Sequence, residues 1–376
     1  MGTGYNTISK LKIALLVIVL LGGLVISGCR AGMGAVPRGW SGGTIVDETM
    51  VIGSMEGKLI ALNISDGSQL WAVSLEAPAS SGGFGCAPAS TTVAIYGSPA
   101  ADGDLVYIGG YDGRVYAISS STLLSKDKYL RKDDKSPSKP IIGGPVIAQG
   151  RVYIGSSDGW VYALDTVSLD EKWKFETGGK IWATPAIDGD TLFISSFDKK
   201  LYALNATNGS KKWEFETEGA IVATPLVHNS TVYIGSFDRY LYAVDATDGS
   251  LKWKFLAGNW FWTKPVIYND IVYAASLDGK VYALDAESGV KLVEFDLGSP
   301  VSSSPVLLDN SIIVATEDGV VYVLDTGNNQ QRQLVNLGEM IYASLAASQG
   351  KVYIHTEKDA IYEIDAQSGA RRQFSH

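Results

Sequence analysis

The chain has 376 residues, more than the roughly 100–200 usual for one domain, so length alone allows two or three domains or one long all-β body. Hydrophobic residues make up 46%, charged residues 19%, and the formal net charge is −9. These values exclude general disorder and argue against a nucleic-acid partner, whose footprint is a basic face. The 42 glycines and 19 tyrosines suit short strands and tight turns, and two cysteines are too few for a disulfide-dense scaffold.

The first predicted element is a leader. Lys10 and Lys12 form a positive region, Ile13 to Ile26 is apolar, and small Ser27 and Gly28 precede Cys29. That order is the order of a secretory signal. Ile26-Ser27-Gly28-Cys29 resembles a bacterial lipobox, which implies lipidation at Cys29. The alternative is an uncleaved anchor, for which the 17 uncharged residues between Lys12 and Arg30 are at the short end of a span. We therefore expect a lipoprotein-type signal peptide at 1–28 and a tether at 29–39, with the body outside the cytoplasm and held at a membrane. Losing 1–28 removes two lysines and no acids, which leaves −11.

Repeats fill 40–376. One unit reads Ile181-Trp182-Ala183-Thr184-Pro185, then Leu192 to Ser196, Leu201 to Asn205, and Lys212 to Phe215. Each run is short and strand-like, and Gly, Asn or Asp clusters separate them. The residue before the second hairpin turn fixes the register: Glu56, Asp112, Asp158, Asp198, Asp238, Asp278, Asp318 and Lys358. The steps are 56, 46, then 40 five times. Asp-Gly pairs at 112, 158, 278 and 318 supply the positive φ a tight hairpin needs. Four strands in about 40 residues, eight times over, predict an all-β fold, an eight-bladed β-propeller with four antiparallel strands per blade. Insertions near 76–94 and 125–140 break the rhythm.

The order of strand, Asp/Asn-x-x-x-Gly, then Trp recurs as Asn63 to Gly67 with Trp71, Asn205 to Gly209 with Trp213, and Asp245 to Gly249 with Trp253. It resembles the repeat of pyrroloquinoline-quinone (PQQ) enzymes and their relatives. The resemblance implies that the Trp docks between blades. Units 6, 7 and 8 depart from it, with Val293, Gln333 and Gln373 at the Trp position. Among non-enzymatic relatives, an eight-unit propeller behind a lipobox is similar to the BamB-type lipoprotein scaffolds of the machinery that assembles outer-membrane barrels. That implies a non-catalytic role and protein partners in the cell envelope.

Little chemistry competes with this. Alcohol-type quinoproteins hold calcium and the quinone, and many carry two adjacent cysteines; here Cys29 and Cys86 lie far apart. A PQQ-binding or other small-ligand enzyme or sensor using the central channel is kept as the alternative, and no cofactor is expected otherwise. His228, His355 and His376 do not cluster in the register, and His228 and His355, near a turn and a strand end, are read as ordinary exposed or half-buried residues. Asp102-Gly103-Asp104 and Asp188-Gly189-Asp190 read as turns rather than calcium loops. One column stands out three residues before the Pro185 position: Trp40, Tyr96, Ile142, Trp182, Val222, Trp262, Ser302 and Tyr342. Its neighbour, from Ile95 through Ile181 to Ile341, is nearly all aliphatic. Read as alternate positions of a first strand, the aliphatic residues pack between blades. The five aromatics Trp40, Tyr96, Trp182, Trp262 and Tyr342 then gather at a channel mouth, able to stack on a flat ligand or grip a peptide. The competing reading is that both columns are core.

Overall fold

Blade 4 shows how the sequence builds a blade in this computed structural model, which describes residues 39–75, 92–130 and 139–375. Its strands are Ala186–Asp188, Thr191–Ser195, Lys200–Asn205 and Lys211–Glu216, antiparallel and paired in chain order. The second and third strands are buried on both faces, so they read as continuous apolar runs rather than alternating ones. Eight such sheets follow one another, the first spanning Thr44–Ser74 and the last Ala346–Phe374. The turn between strands two and three holds positive φ at Gly113, Gly159, Gly279 and Gly319, and also at Lys199 and Arg239.

The core lies between blades rather than within them. Tyr153, Val161 and Trp173 of blade 3 pack on Ile181, Leu192 and Tyr202 of blade 4. The same pattern occupies all eight interfaces, and the eighth joins Tyr353 and Phe374 of blade 8 to Met50 and Ile60 of blade 1. Blades 8 and 1 thus meet side by side, and every blade buries both faces on its neighbours.

Within a blade, the third and fourth strands slip register. Ala203 faces Trp213, but Leu204 faces Lys211. This bulge aims Trp213 inward over a small alanine. Its indole N–H then donates to Ala246 O of the next blade at 3.1 Å, as Trp173 does to Ala206 and Trp253 to Ala286. Gly249 carries φ +78°, and an added Cβ there would meet the Trp213 ring at 2.7 Å, so the following turn needs glycine twice over.

Four expectations need correcting. The run Ile181 to Pro185 is not a strand; the ladder starts at Ala186. Proline at 185 has no N–H to give a ladder. The stretch 125–140 includes a fourth strand, Ser125–Tyr129, and Val93 and Ala94 at the end of 76–94 are core residues, 2% exposed. Gln333 and Gln373 do not stand in for tryptophan. Blade 7 slips register elsewhere and blade 8 not at all, so Arg332 faces Val323 and Arg372 faces Glu363. Both arginines donate where the indoles do, Arg332 to Ala366 O and Arg372 to Ile64 O, each at 3.1 Å. Finally, His355 is 2% exposed rather than half-buried, and bridges Ser41 O at 3.0 Å and Asp359 at 2.8 Å. The leader, Cys29, Cys86 and His376 lie outside the described residues.

Candidate functional site

The run before each first strand lines the middle of the ring. Its odd residues turn into the blade interfaces: Ile181 is 1% exposed and Ile95, Ile141, Ile221 and Ile341 are fully buried. Its even residues face one central cavity of about 140 Å³. Extended backbone alternates sides, which explains the division even without a ladder. All five candidate aromatics, Trp40, Tyr96, Trp182, Trp262 and Tyr342, line this cavity, each partly exposed.

The rings form two arcs. Tyr342 lies 5.4 Å from Trp40, Trp40 lies 4.9 Å from Tyr96, and Tyr96 lies 5.5 Å from Tyr111. Across the channel, Trp182 lies 4.6 Å edge-on to Phe197, and Phe237 stacks on Trp260 at 4.4 Å and Trp262 at 5.5 Å. Phe197 and Phe237, 6.3 Å apart, link the second arc.

Tyr111, Phe197, Phe237 and Trp260 were not among the expected site residues. Three of them precede the register aspartate, in the column Met55, Tyr111, Ser157, Phe197, Phe237, Leu277, Glu317 and Glu357. The available signal was that position, just past the second strand. A repeated backbone bond, such as Phe197 N–H to Lys180 O at 2.9 Å, holds it beside the inner run. Trp182 Nε1–H donates to Ser157 of that column at 3.1 Å.

The register aspartates themselves are structural. Tyr202, Tyr242 and Tyr282 donate hydroxyls to Asp198, Asp238 and Asp278 at 2.6–2.8 Å. Gly178 N–H donates to Asp198 at 2.6 Å, so the aspartate also fastens the loop arriving from the previous blade. Among the described residues no group of three His, Cys, Asp or Glu could hold a metal ion.

Charge gathers at blades 7 and 8. Burial pushes the Glu317 carboxyl above its ordinary 4.5. Ser302 is close enough to favour the carboxylate somewhat, yet Ser302 Oγ and Glu317 Oε1 are both buried without a hydrogen-bond partner. Burial first, and then the charges of Glu317 and Glu357, push Tyr342 up to about 12. An acid raised this way stabilises the fold only when protonated. That contribution is complete below pH 4.5 and is lost as pH rises through the raised value. Glu317→Gln should therefore raise the thermal midpoint at about pH 7 and leave it unchanged at about pH 4. An equal gain at both pH values would contradict the desolvation account.

The arrangement offers aromatic faces, hydroxyls and a few isolated charges. The cavity is smaller than the roughly 300–1,000 Å³ of sites for cofactors and drug-sized ligands. It fits a side chain, a chain end or a single ring better than a three-ring quinone.

Comparison with known proteins agrees with this architecture. The family model described as outer membrane protein assembly factor BamB matches residues 158–259 and 256–373. Among solved structures, BamB from Moraxella catarrhalis superposes with a TM-score of 0.70 at 21% identity, covering 85% of this chain and 95% of that one. The computationally designed Ika8 protein gives a TM-score of 0.70 at 16% identity, covering 87% and 96%. At these identities the likeness is one of fold. No curated protein matches the chain.

Proposed function

Because the chain belongs to the family of outer membrane protein assembly factor BamB, we propose that it is a non-catalytic, protein-binding scaffold of the cell envelope. In this reading lipid on Cys29 tethers the ring on the extracytoplasmic side of a membrane. The acidic body needs that tether, because an anionic bilayer surface repels it. The channel mouth grips an extended segment of a partner protein. The observation that carries the reading is the convergence of two aromatic columns at one mouth, with rings left partly open. At the blade interfaces, by contrast, Trp213 is 8% exposed and Tyr153 is fully buried. Partly open tryptophan and tyrosine are the side chains that dominate binding surfaces.

A photo-crosslinker placed at Phe197 in native membranes tests this. Products with a protein partner should form, and Trp182→Ala with Trp262→Ala should lower their yield at least about 30-fold. The thermal midpoint should change little. Unchanged products with a large loss of stability would make the column core instead. The rival reading, a quinone enzyme or sensor, is checked by adding pyrroloquinoline quinone and a calcium salt. Cofactor-like absorbance with dye-linked alcohol oxidation would replace the scaffold.

A further inference from the structure

Two residues beyond the aromatic column, each inner run turns a second side chain to the same cavity. Five of these are hydroxyls: Ser98, Thr184, Thr224, Ser304 and Ser344. One is a cation, Lys264. Among the described residues no other lysine or arginine lines the cavity. The two remaining positions are Gly42 and Gly144, where an added Cβ would meet Ser98 Oγ at 2.6 Å and Ser98 O at 2.5 Å.

This ring is rich in donors. The Thr184 hydroxyl accepts Gly144 N–H at 2.9 Å, and the Ser304 hydroxyl accepts Lys264 N–H at 3.2 Å. Those bonds occupy lone pairs and leave the O–H protons to donate. None of the five hydroxyls donates to another described residue. An ammonium only donates. Lys264 forms no ion pair with a described acid, and water reaches it along the channel while the walls crowd it. Burial alone lowers its pKa, with no carboxylate acting in the other direction. Glu317 and Glu357, on blades 7 and 8, are close enough to act on Tyr342 of the channel lining, and they oppose entry of an anion from that side.

We propose that Lys264 and the hydroxyl ring form a carboxylate site, with the carboxylate on the ring and its flat apolar body against the Trp262 side of the channel. A carboxylate has two oxygens that need at least two donors, and it supplies the charge Lys264 lacks. The body rests on the aromatic arc, where Phe237 already stacks on Trp262. The small cavity limits the ligand to one ring or one chain end. Two sources share this chemistry: a free aromatic acid, or the C-terminus of a polypeptide. A free acid would stand apart from the scaffold reading, since it needs no partner protein, whereas a chain end would deepen that reading.

Calorimetric titration of the full chain in detergent with benzoate and benzamide tests the charge. Benzoate should bind and benzamide should not. Lys264→Met should weaken benzoate about 10- to 100-fold, and Lys264→Arg should keep most of the affinity. Ser304→Ala should lower it further in the Met variant's direction. Thermal midpoints of these variants serve as the check on folding. A short peptide ending in Trp, with a free or an amidated terminus, separates the sources. Tighter binding of the free-terminus peptide than of benzoate assigns a chain end, and equal or weaker binding assigns a free acid. Equal binding of benzoate and benzamide would overturn the proposal. So would unchanged benzoate affinity in folded Lys264→Met, or no binding of either benzoate or the free-terminus peptide. None of these results bears on crosslinking from Phe197.

Discussion

Trp213→Ala should cost about 3–5 kcal/mol of unfolding free energy, far more than Trp182→Ala, although both are tryptophans of blade 4's repeat. The difference lies in what each ring touches. Trp213 is 8% exposed, 5.8 Å from the Phe193 ring, and capped by the turn at Gly249 in the next blade. Truncation leaves a cavity at an interface and also strips Ala246 O of its 3.1 Å donor, which adds about 1 kcal/mol. Trp182 is only partly buried and faces a channel that water enters. Its removal leaves a wider channel rather than a sealed void. Urea midpoints of the two variants, taken with their slopes, check the ranking. A loss at Trp182 matching that at Trp213 would mean the channel column is core.

That contrast also shows what could be read from the residues alone. The 40-residue step was legible because turn chemistry is local. Asp-Gly at 112, 158, 278 and 318 announces a hairpin whatever surrounds it. The interblade Trp was legible for the same reason, since Trp71, Trp213 and Trp253 follow Gly67, Gly209 and Gly249 at a constant distance. The replacements in blades 7 and 8 were not. Their latch is an arginine one residue earlier, and only a bulge displaced in blade 7 and absent in blade 8 brings Arg332 and Arg372 into line. A chemically different side chain, displaced by one position, leaves no repeat to detect. The channel was half legible. Alternation separated Ile181 from Trp182 correctly, even though their run proved not to be a strand. The partner column with Phe197 and Phe237 was missed because it sits just past a strand end, where period-two reasoning stops. Lys264 was missed because seven small or polar residues occupy its position in the other units.

Phe374→Ala should be as damaging as Trp213→Ala, about 3–5 kcal/mol, and it should loosen the ring at one place. Each blade is built from contiguous chain, so no strand is shared between blades 8 and 1. Elsewhere a weakened interface is still bridged by the connecting loop. Among the described residues, side-chain packing and a few polar contacts hold the ends at this junction. Phe374 is 3% exposed and packs 6.2 Å from Tyr353 in the cluster that includes Met50 and Ile60. Arg372 lies 4.9 Å over the Phe374 ring, reaches Ile64 O at 3.1 Å, and pairs with Glu363 at 2.7 Å. The Glu363 side chain is 9% exposed, so losing Arg372 leaves a buried carboxylate with Lys351 alone, at 2.8 Å. Arg372 itself is 37% exposed, and solvent screens the pair. We therefore expect only about 1–2 kcal/mol from Arg372→Ala. The double variant should fall short of the sum, because the two side chains touch and removing either already frees the other. Met55 N–H to Asp359 at 2.9 Å and His355 to Ser41 O at 3.0 Å would then carry the junction. Hydrogen exchange should show the effect as lost protection in Thr49–Gly53 and Ile361–Asp365, with blades 4 and 5 unchanged. Uniform loss of protection around the ring would instead mean that the eight interfaces open together, and that closure stabilises each blade as strongly as its own packing does.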